Sequence, residues 1–323
     1  MEPGIFTISL DFELYWGVRD KRTIEQYRSN LLGVWEAIPD MLRVFSENGL
    51  HATWATVGFL FFDDRQSLLD NLPKALPSYS QSVLSPYPYI QASTQLEPQY
   101  HFAPTLIKAI AGCPGQEIGT HTFSHYYCLE KGQTLEQFEE DLSAAVENAH
   151  ARGLDLKSLV FPRNQWSPHY LAALTRQGIQ CYRGNEQGWI YRACADNRET
   201  LLQRALRLLD AYVNLSGQHT YPLANCIKEA PFNFPASRFL RPYSAKLAML
   251  DGLRMKRIKS AMLDAAVNGK IFHLWWHPHN FGMHTANNIS FLEQIADHYR
   301  LLHDRHGMKS LNMGELCQLG SEQ

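Results

Sequence analysis

Ile5-Phe6-Thr7-Ile8-Ser9-Leu10 runs directly into Asp11-Phe12-Glu13 near the start of the 323-residue chain. The first six residues are apolar and β-branched, which predicts a strand over 5–10. In a doubly wound nucleotide-binding fold, the turn after such a strand carries a glycine-rich phosphate cradle. Here it carries two carboxylates instead. Strand side chains alternate sides, so residues two apart point the same way. Asp11 and Glu13 therefore make an anionic corner that needs a cation or a shared proton to be tolerated. A D-x-E taken alone also reads as a helix cap beside a solvated acid. The rest of the chain has to separate the two readings.

Working outward, helix and strand alternate. Leu31, Leu32, Val34, Trp35, Ile38, Met41, Leu42 and Phe45 fall at helical spacing over 31–50, and Asn48-Gly49 supplies the stop. Strand character returns over 51–61. Residues 63–102 are rich in Pro, Ser, Tyr and Gln and read as a long surface insertion. A helix is expected over 105–111 and a strand over 116–120. Another helix over 134–152 opens on the capping box Thr134-Leu135-Glu136-Gln137. Strands are expected over 158–161 and 179–182, separated by a helix from Pro168 to Gln177 that Ser167 caps. Helical stretches follow over 199–213 and 244–267, then a strand over 270–276, a helix over 290–306 and a last strand over 309–312. A second insertion is placed near 188–226. Such alternation favours a parallel sheet covered by helices, and with no nucleotide fingerprint the closed barrel is the expected form.

Composition excludes several function classes. Hydrophobic residues make up 45% and charged residues 19% of the chain, enough for a large core and not a disordered chain. A formal net charge of -2 argues against a nucleic-acid partner. No apolar run reaches membrane-spanning length, and Met1-Glu2-Pro3-Gly4 offers no basic leader, so a cytoplasmic location is expected. The six cysteines are scattered without a C-x-x-C pair and read as free buried thiols.

Fourteen histidines are distributed less evenly. Gly119-Thr120-His121-Thr122-Phe123-Ser124-His125 follows the third strand, and two histidines four apart converge on one metal if the segment turns helically. His273 and His277 share that spacing but lie in a strand, where His273 reads as a satisfied core residue. Val160-Phe161-Pro162-Arg163-Asn164-Gln165 closes the fourth strand, and Arg163 suits a carboxylate or a substrate anion. Phe272-His273-Leu274-Trp275-Trp276-His277-Pro278-His279 places His277 at another strand end, beside aromatics able to stack on a sugar. Each feature has an ordinary structural explanation. Yet Asp11/Glu13, His121/His125, Arg163 and His277 all follow strands at one end of the barrel, the face where active sites assemble.

In this order the motifs resemble the polysaccharide deacetylase family, the NodB-homology carbohydrate esterases, over most of the chain outside the two insertions. The resemblance implies a single distorted (β/α) barrel of about seven parallel strands. It implies one divalent metal ion, commonly zinc, held by Glu13, His121 and His125. Asp11 would be the general base, Arg163 would orient it, and His277 would be the general acid. Water on the metal would attack the acetamide carbonyl of an N-acylated amino sugar, in a glycan or in a lipid- or nucleotide-linked precursor. Trp276, His279 and Trp166 are the expected substrate contacts. Two departures stand out: Phe12 separates acids that are commonly adjacent in the family, and Pro162 precedes Arg163 where proline usually follows. Two alternatives stay open, hydrolysis of a cyclic imide or ureide, and a catalytically silent carbohydrate-binding protein.

Overall fold

The computed structural model describes residues 2–192, 195 and 200–321. Ten strands form one sheet: β1 (Ile5–Phe12), β2 (Ala52–Thr56), β3 (Gln116–Thr120), β4 (Ser158–Val160), β5 (Cys181–Arg183), β6 (Tyr221–Pro222), β7 (Phe232–Asn233), β8 (Arg238–Phe239), β9 (Lys270–Trp276) and β10 (Lys309–Ser310). Their order is β6-β9-β1-β2-β3-β4-β5-β7, with β10 beside β1 and β8 beside β9. Among the described residues, only the β6–β9 pair is antiparallel. β7 and β8 belong to one extended segment that bridges the two edges of the curled sheet. Phe234 and Ala236 donate backbone N–H groups to Tyr182 and Gly184, while Ser237 and Leu240 donate to His273 and Trp275. In place of the closed parallel ring expected from the alternation, this single crossing segment links β5 and β9 across the mouth of a curled, mostly parallel sheet.

β1 lies at the centre and all eight of its residues are buried. Its period of two sorts them. Phe6, Ile8, Leu10 and Phe12 join the large apolar core beneath the helices. Phe6, for example, stacks on Phe272 and meets Tyr299 of helix Thr285–His306. Thr7, Ser9 and Asp11 alternate with them and are also buried. The barrel interior is thus polar while the sheet's outer face is apolar. Burying each such large apolar side chain contributes roughly 1.5–3 kcal/mol.

Helix Ile24–Asn48 begins seven residues before the expected start at Leu31. Thr23 and Gln26 form a reciprocal capping box there, which satisfies orphan donors without any apolar periodicity. Its end at Gly49, in the left-handed conformation, is where the sequence places it. The helix also touches the site. A Cβ on Gly33 would lie 2.0 Å from the Gly282 carbonyl oxygen, so the helix backbone rests directly on the turn after His277. The expected strand over 51–61 is shorter, ending at Thr56 and passing into a 3-10 turn over Gly58–Phe61. Residues 63–102 fold into short helical turns, and Leu68, Tyr87, Ile90 and Phe102 are buried in the main core. Within 188–226, a helix spans Leu201–Asp210, and Cys194 lies outside the described residues. No helix among the described residues is long and apolar enough to cross a membrane.

Candidate metal and acid–base site

Asp11 sits at the end of β1 with its carboxylate buried. Arg183, the last residue of β5, grips it in bidentate fashion: Nη1 donates to Oδ1 at 2.7 Å and Nη2 to Oδ2 at 2.8 Å. The same guanidinium donates to Ser9 Oγ and Asn164 Oδ1, both at 2.9 Å, and lies 4.2 Å from the centre of the Trp275 ring. Burial alone would raise the Asp11 pKa, but the charge of Arg183, with smaller help from His121 and His277, holds it below the ordinary value. The bidentate contact expected of Arg163 is therefore made by Arg183. Arg163 instead pairs with Asp20 at 2.6 Å and stacks over the Tyr127 ring at 4.4 Å. Arg183 meets the rule that identified the other candidates, a polar residue at a strand's C-terminal end. It was missed because the strand was expected to stop at Tyr182.

Two residues past Asp11, Glu13 faces the same side, as the period of two requires. His277 Nε2 lies 3.7 Å from Asp11 Oδ2 and 3.7 Å from Glu13 Oε1. Glu13 Oε2 is 2.9 Å from His125 Nε2 and 3.3 Å from His121 Nε2. The three potential ligand atoms of Glu13, His121 and His125 fall within 4.8 Å of one another, all buried. The two histidines do not converge through a helical turn as the spacing suggested. His121 follows β3 directly, and an irregular loop with Thr122 and His125 at positive φ brings the second ring back to the first. Helix Leu135–His150 holds that loop from below. Buried Asp141 accepts from Phe123 N at 2.7 Å and from Ser124 N and Oγ. Nothing in the sequence distinguishes Asp141 from the solvated acids of the same helix.

The residues fit a divalent cation. His121 Nδ1 donates to the Val160 carbonyl at 2.8 Å, which leaves Nε2 as the lone-pair nitrogen. That Nε2 is buried without a hydrogen-bond partner, a position a native fold fills only for a reason. Glu13 is held well below the usual carboxylate range: burial opposes its charge, but His277 and His125 outweigh the penalty. Burial pushes His125 down to about 4 against the pull of Glu13. Carboxylate and neutral imidazole are the states in which these groups bind metal.

The late histidine motif is sorted by strand parity. His273 is fully buried and bonded to Ser9 Oγ at 2.9 Å, the satisfied core residue expected. His277, with a quarter of its side chain exposed, is open to a ligand. Trp275 and Phe239 pack beside it, with ring centres 5.6 Å and 5.8 Å away. Trp276 points the other way and is wholly buried against Phe45 and Phe281, away from the site where it was expected, whereas Trp275 stands on the side of His277. His279 is likewise buried. It sits behind the metal corner with Nδ1 3.8 Å from Glu13 Oε1, and burial drives it down to about 3. Its Nδ1 makes no hydrogen bond, and the ring is closed off from solvent. Trp166 is half-buried against Tyr182.

No family model and no curated protein matches the chain. Solved structures do. One, described as "putative polysaccharide deacetylase from Mycobacterium smegmatis", aligns over 100% of this chain and 92% of its own at TM-score 0.58 and 14% identity. A "probable Polysaccharide deacetylase from Pseudomonas aeruginosa PAO1" aligns over 99% and 92% at TM-score 0.58 and 10% identity. The Puue allantoinase aligns over 98% and 90% at TM-score 0.55 and 9% identity. The chain has the distorted barrel of these proteins, as its motifs led one to expect. A fold hosts more than one chemistry, so the activity has to be argued from the site.

Proposed function

We propose that the chain is a metal-dependent hydrolase that removes the acyl group from an N-acylated amino sugar, in a glycan or a glycan precursor. The observation that carries this reading is the meeting of Glu13, His121 and His125 within 4.8 Å, beside the Asp11–Arg183 pair and His277. The reading takes the whole chain as one deacetylase-like unit, with 63–102 and 188–226 as insertions. A divalent ion held by the triad, zinc being the natural match to one carboxylate and two imidazoles, supplies Lewis acidity at the acyl carbonyl and makes water more acidic.

The chain's own residues do the rest. Asp11, kept ionised by Arg183, accepts the proton of the attacking water. Its bidentate grip fixes the carboxylate's direction, the positioning on which general-base efficiency depends. An amine leaves only when protonated, and His277 is the exposed imidazole within reach of the same reaction volume. Trp275 and Phe239 offer aromatic faces on which a sugar ring can lie. The presence of each residue type the chemistry demands favours this reading over an inactive binding protein.

The test is release of acetate from N-acetylated oligosaccharides, together with elemental analysis of the purified protein. Asp11→Asn is expected to lower turnover by about 10²–10⁴-fold while keeping the metal. His121→Ala is expected to lose both. Unchanged turnover in the two variants sinks the mechanism.

A further inference from the structure

Helix Leu201–Asp210 is amphipathic, with its polar side turned inward. Asp210 is wholly buried and accepts from Tyr191 Oη at 2.7 Å, Ser216 Oγ at 2.8 Å and Leu215 N at 2.9 Å, while Arg207 Nε donates to the Ile190 carbonyl. These bonds lock the orientation of the helix. Leu201, Leu202, Ala205, Leu208 and Leu209 fall within about 120° of one another around its axis. All five are exposed, Leu201 by 82%. Trp189, 64% exposed, immediately precedes the Ile190 that Arg207 bonds. Beyond the helix, Gln218 donates to Ser260 Oγ and accepts from Arg257 Nη1, which ties the segment to helix Asp251–Asn268. Around the start of that helix Met249, Leu250 and Leu253 are exposed. An apolar stripe of this length facing outward marks an interaction surface.

Charge selects what covers it. Residues 188–260 hold twelve Lys and Arg against five Asp and Glu, whereas the rest of the chain holds 18 against 27. Arg204, Lys246 and Lys256 are exposed on the same elements as the apolar side chains. The acids of these elements are engaged internally: Asp210 is buried beside Arg238 and Arg257, and Asp251 pairs with Arg254 at 3.0 Å. A second copy of the chain would bring the same positive charge against this face and be repelled. An anionic bilayer offers both complements at once, acidic headgroups for the cations and acyl chains for the leucines. We propose that this face docks on an anionic lipid bilayer, with helix Leu201–Asp210 in the plane of the interface and its leucines among the upper acyl chains. No residue of the face belongs to the Glu13, His121 and His125 cluster, so the docking does not depend on the hydrolase reading.

Flotation of the full chain with vesicles tests the docking, using phosphatidylcholine alone and an equal mixture of phosphatidylcholine and phosphatidylglycerol. Binding to the mixed vesicles is expected to be about tenfold tighter or more, and to weaken by a similar factor as salt rises from ~0.05 M to ~0.5 M. The double variant Leu201→Gln/Leu209→Gln changes two exposed positions. It is expected to keep the circular dichroism and melting temperature of the parent while binding mixed vesicles about tenfold more weakly or worse. Lys246→Gln/Lys256→Gln should weaken binding to the mixed vesicles about tenfold and leave the neutral ones unaffected. Undiminished binding in the leucine variant would reduce the contact to charge alone and overturn the proposal, as would equal affinity for the two vesicle types. Absence of binding to either also overturns it. If the chain then sediments as a dimer that the leucine variant dissociates, the stripe is an interface between copies instead.

Discussion

Glu13 and Gly17 leave no room for a methyl group between them: a Cβ on Gly17 would lie 2.0 Å from Glu13 Cδ. The carboxylate can face both imidazoles only because position 17 has no side chain. Gly17→Ala is therefore expected to leave the fold intact and to lower metal affinity about 10–100-fold, as losses of ligand support do. Competitive metal titration alongside circular dichroism checks this. Arg183 and Arg163 separate in the same way. Breaking a buried pair by removing one partner costs about 3–5 kcal/mol, because the remaining charge has no compensation. Arg183→Met should show that loss in urea unfolding together with loss of turnover. Arg163→Met leaves Asp11 gripped and is expected to retain far more activity. If the two variants behave alike, Arg183 is not the residue that positions Asp11.

Among elements, the loop after β3 shows the largest gap between pattern and structure. His121 and His125 are four apart, and that spacing alone marks them as a pair. Their convergence, however, comes from left-handed residues at Thr122 and His125, each storing roughly 1–3 kcal/mol of backbone strain. Asp141 on the adjoining helix holds the strain by accepting from Phe123 N, Ser124 N and Ser124 Oγ. Asp141→Ala leaves these donors without an acceptor and is expected to destabilise the protein by about 3 kcal/mol and to weaken metal binding. Thermal or urea unfolding and metal titration read the two effects separately. β9 teaches a simpler lesson. Its alternation places Trp275 on the side of His273 and His277, and Trp276 among the helices, so the period of two already visible in the sequence decides between adjacent tryptophans.

At the level of the whole molecule, the curled sheet wraps a polar interior, and the segment over 63–102 contributes buried residues of its own. His101 is one. Its Nδ1 donates to the Glu97 carbonyl and its Nε2 accepts from Tyr89 Oη, and burial drives its pKa down from 6.5 to about 4. Between these values the unfolded chain takes up a proton that the folded protein does not, so stability is present above about pH 6.5 and is lost as pH falls toward 4. The single group accounts for about 3 kcal/mol across that window. Urea unfolding at pH 7 and pH 4.5 should show the drop, with a shallower dependence in His101→Gln. An identical slope in that variant would assign the acid sensitivity elsewhere.

Strand periodicity, the capping box at Thr134 and the glycine stop at Gly49 depend on neighbours in the chain. The sequence by itself therefore determined the alternating order of elements and the positions of Asp11, Glu13, His121, His125 and His277 at strand ends. It did not determine which arginine meets Asp11, because Arg163 and Arg183 both stand at strand ends and only the curl of the sheet sets their distance. Asp141 and its hold on the loop after β3 were equally hidden. Their residues come from segments far apart in sequence, and a side chain's burial, charge environment and partners arise only when those segments pack.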